Sequence, residues 1–370
     1  MNREASGRVA PHVIAATITA VGAMMLYMLL LRDAVLVQLA RQLGADSFEQ
    51  YVLVAVVGIA GAAGCVAAAA VPVAARQPWA LAGGFAVCAA AMLGALGVDS
   101  WVRLLGFTAV AAFAAGWVMV ALSLVLRGAV GSDRLGLCIG FGVGTAFAIF
   151  SVPQVFAASV AVHALLAAGA AALGLIAAFG LRSKFATTSF SPDYQPLVWL
   201  TWIVVLLVLV WMDKAALFMI RGAAAREAFQ WGGWWSQWST ACLHFLIAAL
   251  AGAAFDRGWA SGMLLFAVVL LLAACTLSHA ETQAYAAAEI FYALGASIYA
   301  TALVFYPARG GRPWLAAGLL ACTRWAGGSL GVAIVLALGD VPAGLLLGVA
   351  LLAVGAIWLR AHWRERERWE

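Results

Sequence analysis

The chain has 370 residues, 66% of them hydrophobic and only 10% charged. Soluble globular domains carry roughly 25% charged residues, so the composition excludes a water-soluble enzyme and points to a polytopic membrane protein. The formal net charge of +5 reads as membrane orientation, not as nucleic-acid binding, because of where the basic residues fall.

A membrane-spanning helix needs about 20 apolar residues. In chain order the apolar runs predict twelve spans: 12–43, 50–75, 78–98, 101–127, 135–153, 155–181, 197–221, 231–255, 259–279, 283–306, 313–338 and 341–360. The first run follows a short polar start, MNREASGR, and continues to about residue 31 without an Ala-x-Ala exit, so it reads as a span and not a cleaved signal. Six cysteines lie in apolar runs with no CxxC pair and read as packing residues. The longest polar connection, LRSKFATTSFSPDYQP, divides the spans six and six. The expected domains are therefore residues 1–181, a central loop 182–196, residues 197–360 and a charged tail 361–370.

Placing both termini in the cytoplasm puts fourteen of the 21 lysines and arginines inside and four outside, with Arg32, Lys214 and Arg324 left within spans. An internal repeat supports the six-plus-six division. LRDAVLVQLAR (31–41) echoes MDKAALFMIR (212–221), matching Asp33 to Asp213 and Arg41 to Arg221 at an offset of 180. Arg134 and Arg312 match at an offset of 178. An even number of spans between the copies makes the repeats parallel.

Six ionisable residues fall at membrane depth: Arg32 and Asp33 in span 1, Asp213 and Lys214 in span 7, Glu289 in span 10 and Arg324 in span 11. Each costs at least about 2.5 kcal/mol at a span centre unless paired or hydrated. Three acids and three bases suggest mutual neutralisation. Neighbours in a helix point about 100° apart, so one member of each adjacent pair is expected to face a cavity and the other a neighbouring helix. Two readings stand side by side: ion pairs that pin helices, or groups that bind a solute and move protons. Glu289, with no base near it in sequence and Tyr292 on the same helical face, is the first candidate for a coupling acid. Asp33 and Asp213 follow.

GAAFDR, from Gly252 to Arg257 between spans 8 and 9, is similar to the Gly-x-x-x-Asp-Arg loop of the major facilitator superfamily. The first-half copy is missing: AAAVPVAARQPW has Pro72 where the acid belongs. With twelve spans, a central loop and internal termini, the chain resembles a divergent member of that family. The resemblance implies an all-α integral membrane fold of two parallel-repeat six-helix bundles. In it Gly252 permits close helix approach, Asp256 holds a helix end or an arginine, and Arg257 completes the loop. Spans 1, 4, 7 and 10 would line a central cavity. Spans 2, 5, 8 and 11, with glycines at four-residue spacing in span 5 (Gly136, Gly140, Gly144), would form the seam between halves.

The implied function is secondary transport of a small polar, anionic or zwitterionic solute by alternating access, coupled to protons, in a bacterial inner membrane. The alternative is a membrane scaffold of the same fold that no longer transports. No phosphate-binding Gly-x-x-x-x-Gly-Lys loop, His-Glu-x-x-His or Ser/His/Asp arrangement occurs, so neither an enzyme, a cofactor nor a metal site is expected. The expected partners are the solute, protons and the lipid bilayer, not nucleic acid. The sequence names no partner protein.

Overall fold

The computed structural model describes residues 9–72, 77–181, 196–226, 234–278, 285–339 and 341–366. The central loop 182–195, Arg76, the side chain of Arg221 and the last tail residues lie outside that description. Every described element is a helix. The long ones are α1 (Pro11–Gln42), α2 (Ser47–Ala70), α3 (Pro78–Gly94), α4 (Trp101–Val130), α5 (Leu135–Ser151) and α6 (Val160–Gly180). After the loop come α7 (Pro196–Arg226), α8 (Trp234–Asp256), α9 (Ala260–Leu277), α10 (Tyr285–Gly310), α11 (Pro313–Leu338) and α12 (Ala343–Arg366). Eleven are long and apolar enough to cross a membrane, and α5 is a shorter apolar helix. The chain is a multi-pass membrane protein.

Local chemistry moves several boundaries. α2 starts at Ser47 because Asp46 and Glu49 form a capping box: Glu49 N–H donates to Asp46 Oδ1 at 2.7 Å, and Asp46 N–H donates to Glu49 Oε2 at 3.0 Å. It ends at Ala70, before the expected 75, because Val71 precedes Pro72 and leaves the helical region. Pro153 likewise separates α5 from α6. Val152 is extended, a short turn of helix spans Pro153–Phe156, and α6 begins only at Val160. α12 continues to Arg366, six residues past the expected end of the span at residue 360, since no Gly or Pro interrupts RAHWRER.

α1 packs on α5 and α6, α2 on α4, and α3 on α4 and α6. Beyond the loop, α9 packs on α10 and α12, α8 on α10, and α7 on α11 and α12. The two main seams between these sets are α5 against α8 and α2 against α11, and α10 also touches α4 and α5. Small residues let helix backbones touch where lipid supplies no hydrophobic drive. A Cβ on Gly140 would collide with the Ala248 carbonyl across the first seam. In the second, fully buried Trp325 lies flat over Gly61.

Gly140→Val is expected to lower the thermal unfolding midpoint in detergent, through an overpacking cost of about 1–3 kcal/mol. Gly169→Ala, whose Cβ meets nothing within 4 Å, is expected to be neutral or stabilising. Tryptophan fluorescence reads both, and equal effects would contradict the seam.

Candidate functional site

α1 changes its winding at its charged residues. Over Leu31–Val35 it adopts the wider i→i+5 turn of a π-helix, which contains Arg32 and Asp33. α11 does the same over Ala321–Gly327, around Arg324. These are the two π segments among the described residues. They meet across the second seam, where Arg32 Nη1 donates to the main-chain carbonyl of Arg324 at 3.1 Å. Gly328 leaves room for the guanidinium: a Cβ there would sit 2.9 Å from Arg32 Nη2.

α7 supplies the counterpart. Lys214 Nζ lies 3.4 Å from Asp33 Oδ1 and 3.4 Å from Asp213 Oδ2. The two repeat-related acids, one from each half, thus share a single ammonium group. The Asp213 side chain is 3% exposed and turns toward α9 and α10, where Cys275 and Tyr299 are its electrostatic neighbours. Tyr299 also lies in the field of Arg324 and Asp33. Arg324 is buried, its Nε makes no hydrogen bond, and it has no ion-pair partner within 4 Å among the described residues.

Arg32, Asp33, Asp213, Lys214 and Arg324 therefore gather in one place. The expected three-against-three balance is not met at the cavity these residues border, because Glu289 does not line it. It sits in the first turns of α10, ten residues before Tyr299, or about 15 Å along the helix. Glu289 is buried with an interaction of its own. The cluster carries three bases and two acids, one positive charge in excess. The expected division of adjacent residues holds on α7, where Lys214 faces a cavity and Asp213 does not. It fails on α1, where both Arg32 and Asp33 face the cavity, because a π turn winds less than 100° per residue.

That cavity has a volume of about 400 Å³ and is walled by α1, α2, α7 and α11. Arg32, Asp33, Lys214 and Ser329 form its floor, while Arg41 and Gln50 stand at its mouth. A smaller pocket of about 50 Å³ flanks Asp33 on the other side, against Tyr292 and His244. His244 is held by Ser297 Oγ at 2.8 Å and by stacking on Phe147, with ring centroids 4.7 Å apart. His163 lies apart from both pockets and is satisfied: its Nε2 donates to the Val155 carbonyl at 2.6 Å, and Gln38 meets its Nδ1. Sequence reading missed the α2 wall because Leu53, Val54 and Val57 look like any lipid-facing run.

Toward the opposite end the described helices pack closely. Met24, Met25, Met119, Leu303 and Leu320 leave a space of only about 10 Å³, at the lower limit for one water. Asp256, at the end of α8, reaches across the first seam to the start of α5. Its Oδ1 accepts from Gly136 N–H at 2.6 Å and its Oδ2 from Leu137 N–H at 2.9 Å. It thus caps a helix whose own N-cap residue, Arg134, makes no side-chain cap. Gly252 abuts Gly136 closely enough that a side chain on either would strike the other's carbonyl. Arg257 is exposed. At the same end Arg127 donates to the Arg309 carbonyl at 2.9 Å, tying α4 to α10.

The fold is that of the major facilitator superfamily. The chain is similar to the crystal structure of the human organic anion transporter MFSD10 (TETRAN), with a TM-score of 0.61, 12% identity, and coverage of 95% of this chain and 99% of that one. It is similar also to the crystal structure of the nucleoside transporter NupG, with a TM-score of 0.59, 11% identity, and coverage of 94% and 98%. No family profile and no curated protein sequence matches the chain.

Lys214→Met strands Asp33 and Asp213 beside each other and is expected to cost about 3–5 kcal/mol of stability. Adding Asp213→Asn is expected to restore part of it. A chemical-denaturation cycle checks this, and strict additivity would contradict the shared lysine. Asp256→Ala is expected to cost about 1 kcal/mol and to speed hydrogen exchange at the first turn of α5, read by mass spectrometry. Unchanged exchange there would contradict the cap.

Proposed function

We propose that this protein is a secondary active transporter for a small organic anion, working by alternating access between two six-helix halves in a bacterial inner membrane. The observation that carries the reading is the surplus positive charge at the cavity floor, where the halves meet. A buried charge costs several kcal/mol unless something neutralises it, and an anionic solute supplies that neutralisation. Of the two solved transporters described above, one is named for organic anions and the other for nucleosides. The charge balance favours the first.

With both termini cytoplasmic, the open cavity faces outward and the Asp256 cap closes the inner side. Alternating access then requires the α5–α8 cap and the Arg127–Arg309 contact to part while α2 and α11 close over Arg32. Asp33 and Asp213 are the proposed coupling acids. Protonating either weakens its hold on Lys214, which is then available to the solute. Glu289, with Tyr292, is the second candidate for proton coupling because it is buried on a helix that meets both halves.

Reconstitution into liposomes containing a pH-sensitive dye tests this. A panel of organic anions, amino acids, sugars and cations is screened for solute-driven proton movement. Organic anions are expected to give the signal, and Asp33→Asn to abolish it while leaving anion binding. Loss in Glu289→Gln alone would move the coupling acid to α10. Movement driven by sugars or cations and not by anions would overturn the anion reading. Silence from folded protein across the panel would favour a non-transporting scaffold.

A further inference from the structure

The cavity above the charged floor has a wall of a different kind. Ten of the sixteen residues that line it are apolar. The polar ones divide into two levels. Arg32, Asp33, Lys214 and Ser329 lie at the bottom, and Arg41 and Gln50 at the mouth. From Arg32 to Arg41 the helix rises about 13 Å. Between those levels the side chains facing the space, such as Leu36, Leu53, Phe218 and Val332, present only carbon.

This wall bears on what can bind. A sugar or amino acid would lose the water around its whole body and find hydrogen-bond partners only at one end. Each polar group left without a partner costs about 1–3 kcal/mol. An apolar body gains instead, in proportion to the area it buries. A volume of about 400 Å³ falls in the range of pockets that hold drug-sized ligands. The floor carries one positive charge beyond its own acids, so it balances one negative charge and not two.

We propose that the cavity binds an amphiphilic organic monoanion, with its acid group between Arg32 and Lys214 and its apolar body lying between α2 and α11 toward Arg41. This rests on the reading of the floor as an anion site and narrows it. The ligand is not the small polar solute expected from the sequence. Arg41 at the mouth, exposed and cationic, draws the acid group in from the aqueous side and does not contact the bound apolar body. The shared chemistry, an acid head on an apolar tail, is met both by organic acids dissolved in water and by single-chain acidic lipids from the bilayer.

The test uses the full chain in lipid nanodiscs. Isothermal titration calorimetry measures binding of n-alkyl carboxylates from acetate to decanoate, the matching alcohols, the dianion succinate and the single-chain monoanionic lipid lysophosphatidylglycerol. Carboxylates are expected to bind about fourfold more tightly for each CH₂ added, until the tail passes Arg41. Each alcohol is expected to bind at least tenfold more weakly than its acid, and succinate more weakly than butyrate. Arg32→Gln is expected to erase the preference for acid over alcohol and keep the chain-length slope. Leu53→Asn is expected to flatten the slope and keep the acid preference. Binding of the short acids assigns the ligand to the aqueous phase. Binding confined to lysophosphatidylglycerol assigns it to the membrane. Either result supports the proposal. A flat chain-length series in wild type, or equal affinity for octanol and octanoate, would overturn it. If polar anions are nevertheless transported, the anion reading survives this failure. If no anion binds at all, both fall.

Discussion

A lysine and two aspartates at membrane depth constrain most of what surrounds them. Lys214 lies 3.4 Å from a carboxylate oxygen of Asp33 and 3.4 Å from one of Asp213. At membrane depth an unmatched charge is costly, so this ion pair ties α1 to α7 while both acids are ionised. The two acids occupy equivalent places in the repeat, and the fold brings them to a single cation. Arg32 is thereby left to bond a main-chain carbonyl on α11, and Arg324 stays buried beside it. The π turns in α1 and α11 are part of the same arrangement. They place Arg32 and Asp33 on one side of α1 and bring α11 close enough to accept from Arg32.

The two ends of the bundle are closed by different means. At the mouth, carbon-lined helices stand apart and leave a cavity. At the other end a carboxylate on α8 caps α5, and methionines and leucines fill the axis. The cap crosses the seam between the helix sets through two hydrogen bonds that separation would break together. Contacts of this kind favour two discrete arrangements over a continuous deformation. In the proposed cycle, solute at the floor offsets the cost of opening the capped end. The Asp33–Lys214–Asp213 set then couples that step to a proton.

Much of the fold was legible because lipid imposes simple rules. Apolar runs of about 20 residues gave the helix count, and the 180-residue echo of Asp33 in Asp213 marked the two acids as equivalent positions of a repeat. Gly252 and Asp256 stood out by resemblance to the Gly-x-x-x-Asp-Arg loop, and they sit at a close helix approach and at a helix end. Boundaries shifted where short-range chemistry decides, as at the Asp46–Glu49 capping box and before Pro72 and Pro153. The charge balance was misjudged for a geometric reason. Sequence shows which span carries Glu289 but not that its side chain stays off the cavity that Arg32, Asp33 and Lys214 line. The π turns carry no sequence signature, so the shared orientation of Arg32 and Asp33 was not foreseeable. The α2 wall was hidden because a valine facing a cavity and a valine facing lipid look alike in sequence.

The central claim is that the surplus positive charge at the floor is reserved for a solute's acid group. An experimental structure with a carboxylic acid brominated at its far end tests this most directly, because the bromine marks the tail and the density marks the head. The carboxylate is expected between Arg32 and Lys214, with Arg32 released from the Arg324 carbonyl and the bromine lying between α2 and α11 toward Arg41. A carboxylate bound instead in the smaller pocket by His244, or an occupied cavity with the acid group at the mouth and Arg32 still bonded to Arg324, would contradict it.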